Sequence, residues 1–197
     1  PHDLAEAMHR IETEAARMGE LVDELLLLAR IDQGRPLERE PVDLGALAEE
    51  AVRVARTIEP DRRIAFQIAG DTVVRGDVAR LRQVLVNLLS NIRAHTPGGT
   101  RAAVRVTGTE DAVELEVTDS GPGLSESERA RVFERFYQGA GARTHGGSGL
   151  GLAIVAAVVA AHGGTVRLLP AAGTGCRFVV RIPKRNAAGA QVPTRHG

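Results

Sequence analysis

The stretch VELEVTDSGPGLSESERARVFERFYQGAGARTHGGSGLGLAIVAAVVAA, residues 113–161, passes from a strand to a buried helix through two glycine-rich segments. Val113, Leu115 and Val117 alternate with glutamate, the two-residue period of a strand. The strand runs out at Asp119, where DSGPG supplies turn residues. A short helix is predicted around Glu126 to Phe133. The glycine-rich QGAGARTHGGSGLG then leads into a helix from Leu150 to Ala161. That last helix is apolar almost throughout, yet it is well short of the roughly 20 residues that span a bilayer. No transmembrane segment or signal peptide is read anywhere in the chain.

Upstream, Asp77 is placed to cap a helix whose Leu81, Val84, Leu85, Leu88 and Leu89 share one face and which ends before Pro97-Gly98-Gly99. Before it, Pro41 to Leu44 reads as a short strand running into an N-cap at Asp43. The helix that follows carries Leu44, Leu47, Ala48, Ala51, Val52 and Ala55 on one side. Ile64, Phe66 and Ile68 alternate, and Val73-Val74 follow a turn at Gly70-Asp71. Ala103 to Val106 pairs across the turn near Thr109 with Val113 to Val117, and Thr165 to Leu169 and Arg177 to Ile182 close the series. Strands on one side and helices on the other predict an α+β fold, a two-layer α/β sandwich.

The first 34 residues differ in kind. Leu4, Met8, Ile11, Ala15, Met18, Val22, Leu25 and Ala29 recur in steps of four and three, the seam of a helix packed in a bundle. Leu21, Leu26 and Leu28 widen the stripe, which implies more than one neighbour; the plainer alternative is a helix lying across the following domain. Gly34 and Pro36 stop the helix. Lys plus Arg and Asp plus Glu number 25 each, so the basic excess expected of a nucleic-acid binder is missing. One cysteine, Cys176, excludes an internal disulfide and a cysteine-based metal site.

Four segments carry the chemistry: NLLSNIRAHTP at 87–97, DSGPG at 119–123, FERFY at 133–137 and GGSGLGL at 146–152. In this order and spacing they resemble the nucleotide-binding boxes of sensor histidine kinases, which share the GHKL fold with gyrase, chaperone and mismatch-repair ATPases. ELVDELLLLARID at 20–32 likewise resembles the end of the kinase dimerisation helix. The resemblance implies a partial second dimerisation helix at 1–34, a catalytic ATP-binding domain at 37–184 and a flexible tail at 185–197. It implies ATP and Mg2+ as cofactors, a homodimer and a response-regulator receiver domain as partners, and a complete protein in the bacterial membrane with this part in the cytoplasm.

Asn87 and Asn91 stand four apart on one helix, so they share a face otherwise apolar, and amides placed there need partners. By resemblance Asn91 is a magnesium ligand, while Asn87 lies by the phosphates or corresponds to the catalytic-base glutamate of the hydrolysing relatives. An amide cannot accept a proton as a carboxylate does, which favours transfer over hydrolysis. Asp119 is implied to hold the adenine amino group, with Gly121 and Gly123 admitting the base. Gly147, Ser148, Gly149, Leu150 and Gly151 are implied to bring backbone N–H groups to the phosphates at a helix start. Gly149 and Gly151 fall near the end of the chain after a long loop, which excludes a dinucleotide-binding strand–turn–helix. Phe133, Phe136 and Tyr137 are expected to anchor a lid by apolar contact.

The sequence departs from the family pattern at Ile92 and Ala94, where alanine and lysine are usual, leaving Arg93 as the neighbouring cation. His95 stands where a tyrosine often flanks the nucleotide. In AGTGCRF at 172–178, Cys176 replaces a threonine, and a thiol is the poorer donor. Nothing resembling the acceptor motif HELRTPL occurs in these residues, so autophosphorylation by the fragment alone is not expected. His9 lacks the proline that follows the acceptor, and His2, His145, His162 and His196 lack acceptor context. The alternatives are an ATP hydrolase, which would need a carboxylate at 87; an anti-sigma-type serine kinase, which leaves the heptads unexplained; and a nucleotide-regulated or degenerate dimerisation module.

Overall fold

A computed structural model describes residues 2–34, 37–139, 148–171 and 174–184. Helix α1 (His2–Asp32) is followed by β1 (Glu40–Asp43), α2 (Leu44–Ile58), β2 (Ile64–Ala69), β3 (Val73–Gly76) and α3 (Val78–His95). Then come β4 (Ala102–Gly108), β5 (Ala112–Asp119), α4 (Glu126–Arg131), α5 (Gly151–Ala161), β6 (Thr165–Pro170) and β7 (Cys176–Pro183). The main sheet has the order β2-β4-β5-β7-β6; β2 runs parallel to β4, and the other neighbours are antiparallel. β1 and β3 form a separate antiparallel pair. The expected α+β sandwich is the fold found. β4 and β5 run longer than the sequence reading gave, and α4 stops at Arg131 rather than Phe133.

Alternation along β5 buries Val113, Leu115 and Val117 beneath the helices, and the same two-residue period carries Asp119 onto that face. Facing them, α3 buries Leu81, Val84, Leu85, Leu88, Leu89 and also Ile92. A fully buried leucine contributes roughly 1.5–3 kcal/mol relative to an exposed one, so this stripe holds α3 rigidly over the sheet. α2 starts where predicted: Asp43 Oδ1 accepts from Gly45 N at 3.0 Å, Ala46 N at 3.2 Å and Thr72 Oγ1 at 2.6 Å. The Thr72 hydrogen bond comes first in holding the Asp43 carboxyl below its ordinary value. Ile68 does not enter the core as its alternation predicts. It lies beside the first turn of α2, where the helical cover begins, and remains exposed.

α5 is buried along Ala153, Ile154, Val155, Val158 and Val159, which accounts for its apolar character. Among the described residues no helix is long and apolar enough to cross a membrane. The end of α1 docks on the domain: Leu27 and Leu28 are buried, and Leu21 and Ile31 pack against the core. The remainder of the seam, Met8, Ile11, Met18, Val22 and Leu25, faces solvent, as does Leu26. The plainer reading, a helix lying across the following domain, therefore holds for the end of α1. Gly34, at φ +66°, follows its last turn. Pro36 and the tail from 185 lie outside the described residues.

His162 closes α5 and is 1% exposed. Its Nε2 accepts the Asp77 N–H at 3.0 Å, so in the neutral ring Nδ1 carries the proton and donates to Val158 O at 2.7 Å. Burial comes first in lowering its pKa from 6.5; Arg39 lowers it further, while the Val158 bond and Asp77 oppose. Between the lowered folded value and the ordinary value the unfolded chain binds more protons, so stability is full above pH 6.5 and falls as the pH drops below it. Urea unfolding at pH 7.5, 6.5 and 5.5 is expected to show this decline in the parent and a flatter profile in His162→Gln; parallel profiles would refute the assignment.

Candidate nucleotide-binding site

The long, rigid α3 spans the candidate site. At one end Asn87 Nδ2 donates to Gly151 O, 3.0 Å away, tying α3 to the first turn of α5. Asn91 follows one turn on, half-buried on the same face. Arg93 and His95 are exposed near the helix end. Thr96, the C-cap, reaches the DSGPG loop: a Cβ on Gly121 would lie 2.7 Å from Thr96 Cγ2. From Asn87 to Thr96 the helix rises about 13 Å, which sets the separation of the two glycine segments.

Asp119 is 6% exposed, and its Oδ1 accepts the Gly121 N–H at 2.8 Å. Gly123 has φ +74°, and a Cβ there would meet Gly175 N and O at 3.2 Å. Gly175 in turn has φ +116°, and a Cβ on it would clash with the Asp119 carbonyl oxygen and come within 2.9 Å of the carbonyl carbon. The two glycine turns are thus locked backbone against backbone. The sequence reading quoted AGTGCRF but singled out Cys176; Gly175 is the residue that touches the loop, and its signal was the second glycine of that box. Cys176 opens β7 opposite Pro170, half-buried, with its thiol pushed up to about 11 by burial and therefore protonated at neutral pH.

On the other flank, α4 begins with a capping box between Ser125 and Glu128. Phe133 meets Phe178 edge to face at 6.4 Å, and Arg131 lies over the Tyr137 ring at 4.6 Å. Phe136 departs from expectation: its ring is 61% exposed and its φ is +61°. Its backbone does the work, donating N–H to Gly149 O at 2.9 Å. Gly149 has φ +69°, and a Cβ there would stand 2.8 Å from the Phe136 carbonyl carbon. Of the three expected apolar anchors, Phe136 therefore acts through its main chain, because the close approach of Gly149 turns the side chain outward.

Ser148 Oγ donates to Glu24 Oε2 at 2.9 Å and accepts from Leu150 N at 3.1 Å. Burial raises the Glu24 carboxyl pKa, with the Ser148 bond opposing. Arg135 Nη2 donates to both carboxylate oxygens of Asp32, at 2.7 and 2.8 Å. The sequence reading missed Glu24, Asp32 and Arg135, since nothing local to α1 marks a partner so far along the chain. Leu150 is buried and precedes α5, which has no side-chain cap, so helix geometry leaves its first N–H groups available to an anion. Gly147 lies outside the described residues. Among those described, no three His, Cys, Asp or Glu side chains converge on a metal position. A divalent ion would accordingly depend on amide, phosphate and water oxygens.

The histidine kinase-, DNA gyrase B-, and HSP90-like ATPase family matches residues 76–186. The probable sensor histidine kinase TcrY of Mycobacterium tuberculosis is 46% identical over 186 residues, covering 93% of this chain and 39% of that protein. The sensor histidine kinase TrcS of the same species is 41% identical over 184 residues, covering 90% and 36%. The chain thus spans less than two fifths of the length of these relatives. Among solved structures, a mycobacterial sensor histidine kinase MprB superposes with a TM-score of 0.67 at 34% identity, covering 75% of this chain and 98% of that one. Full-length ShkA in complex with AMPPNP superposes with a TM-score of 0.72 at 30% identity, covering 87% and 36%.

Proposed function

Because the chain belongs to the histidine kinase branch of this ATPase family, we propose that it binds ATP with Mg2+ and presents the γ-phosphoryl group to a histidine of the complete protein, from which a response-regulator aspartate receives it. The observation that carries this reading is Asp119: a carboxylate on the apolar face of β5, fixed by one oxygen to Gly121 in a turn where Gly121 and Gly123 carry no side chains. A buried carboxylate in that position needs a donor, and the amino group of adenine supplies one.

The remaining residues divide by chemistry. A Cβ on Gly121 would crowd the Asp119 carboxylate, Gly123 lets the loop close on Gly175, and Cys176 adds only a weak neutral donor beside it. Asn91 offers a hard carboxamide oxygen to the metal, with Arg93 the neighbouring cation in the sequence and His95 a flat ring at the rim. Ser148, Gly149, Leu150 and Gly151 form the anion-binding start of α5. Asn87, held on Gly151, cannot take a proton from water and so does not promote hydrolysis. ATP supplies the phosphoryl group, and Mg2+ neutralises its charge; the protein contributes position and a dipole.

The exposed seam of α1, Met8 to Leu25, supports a homodimer in which a second copy covers it. The complete protein on this reading is a membrane sensor with the present segment in the cytoplasm. Calorimetric titration with a non-hydrolysable ATP analogue is expected to show binding that strengthens with Mg2+, and Asn91→Ala is expected to lose that strengthening. Absence of binding by the folded parent would instead select a degenerate dimerisation module.

A further inference from the structure

Arg62 is 5% exposed, a rare state for an arginine outside a catalytic centre. Its Nε donates to Glu59 Oε2 at 2.6 Å, and one Nη2 proton reaches Glu59 Oε1 at 3.5 Å. The other contacts all fall on one loop: Nη1 donates to Thr96 Oγ1 at 2.7 Å and Thr100 O at 3.3 Å, and Nη2 to Pro97 O at 3.4 Å. Five N–H groups thus meet five acceptors, a match that the three donors of lysine cannot reproduce. The Glu59 carboxylate neutralises the buried charge.

Thr96 passes this order on. Its hydroxyl accepts from Arg62 and donates to Ile92 O at 2.7 Å, which settles its rotamer and leaves Cγ2 facing Gly121. Gly121, seated on that methyl group, donates its N–H to Asp119 Oδ1. An unbroken series of contacts therefore runs from Glu59 through Arg62, Thr96 and Gly121 to the carboxylate that meets the base.

We propose that Arg62 is a positioning residue for adenine recognition, acting through Thr96 to fix the Gly121–Asp119 turn in its binding geometry. The proposal rests on the nucleotide reading of that turn. A guanidinium that merely pins two loops together would make the Thr96 hydroxyl matter and its methyl group irrelevant; a positioning role requires both.

The test separates these. Thr96→Ser keeps the hydroxyl and its bonds and removes the methyl group. It is expected to weaken ADP about tenfold, the size of a coupling within one contact network, while thermal unfolding stays within about 2 °C of the parent. The Gly121 amide resonance in nucleotide-free protein is expected to shift. Arg62→Lys is expected to weaken ADP to a similar degree without rescue and to lower the unfolding temperature. ADP affinity in Thr96→Ser within about twofold of the parent, with the Gly121 resonance unmoved, overturns the proposal and leaves the site itself intact. A folded parent that binds no ADP overturns the nucleotide reading and the proposal with it.

Discussion

Replacing Asp119 by alanine is expected to weaken ADP by about 100-fold, equivalent to about 2.7 kcal/mol, the loss of a charge-assisted hydrogen bond in a desolvated site. The residue is held at one oxygen by Gly121 and is almost wholly removed from water, so solvent cannot substitute for it. Asp119→Asn sharpens the test. With its carbonyl oxygen on the Gly121 N–H, its amide would present donors to the donor of the base, and the loss should match that of alanine despite nearly unchanged shape. Calorimetry with ADP, alongside thermal unfolding of each variant, checks both; an asparagine variant that binds like the parent would remove Asp119 from the site.

The second large effect concerns Gly175. Alanine there would combine a φ of +116°, strained for any side chain, with a Cβ driven into the main chain of Asp119 and within 3.1 Å of Ser120 Cα. Main-chain atoms cannot swing aside as a flexible side chain does. Gly175→Ala is therefore expected to cost about 3 kcal/mol of stability and to abolish ADP binding at temperatures where the protein remains folded. Gly98→Ala supplies the comparison, since nothing lies within 4 Å of a Cβ at that position and its φ is ordinary. Equal urea midpoints for the two variants would contradict the argument.

The contrast between these glycines shows which features a sequence displays and which it conceals. The capping aspartates Asp43 and Asp77, the α3 stripe and the glycine turn after β5 depend on neighbours within a few positions, so their signals are local. Gly175 against Asp119, Glu24 against Ser148 and Arg62 against Thr96 depend on how distant segments meet, and no period in the chain encodes them. Phe136 misled for a related reason: an aromatic residue amid few others signals burial, yet the approach of Gly149 reserved its main chain for the contact. Ile68 alternates correctly but lies where α2 begins, so its pattern promised a cover that ends too soon.

The parallel pairing of β2 with β4 separates family likeness from folding autonomy. The family match begins at residue 76, whereas β2 occupies Ile64–Ala69 and α2 lies earlier still. A polypeptide trimmed to the matched span would leave β4 with an unpaired rim and strip α3 of the helix alongside it. Unpaired rims of this kind template association between molecules. It would also discard β1, all of β3 but Gly76, and every donor of the Arg62 fork. A piece that keeps both strand pairs therefore starts no later than Glu40, whereas one cut at residue 76 bares an edge that favours aggregation.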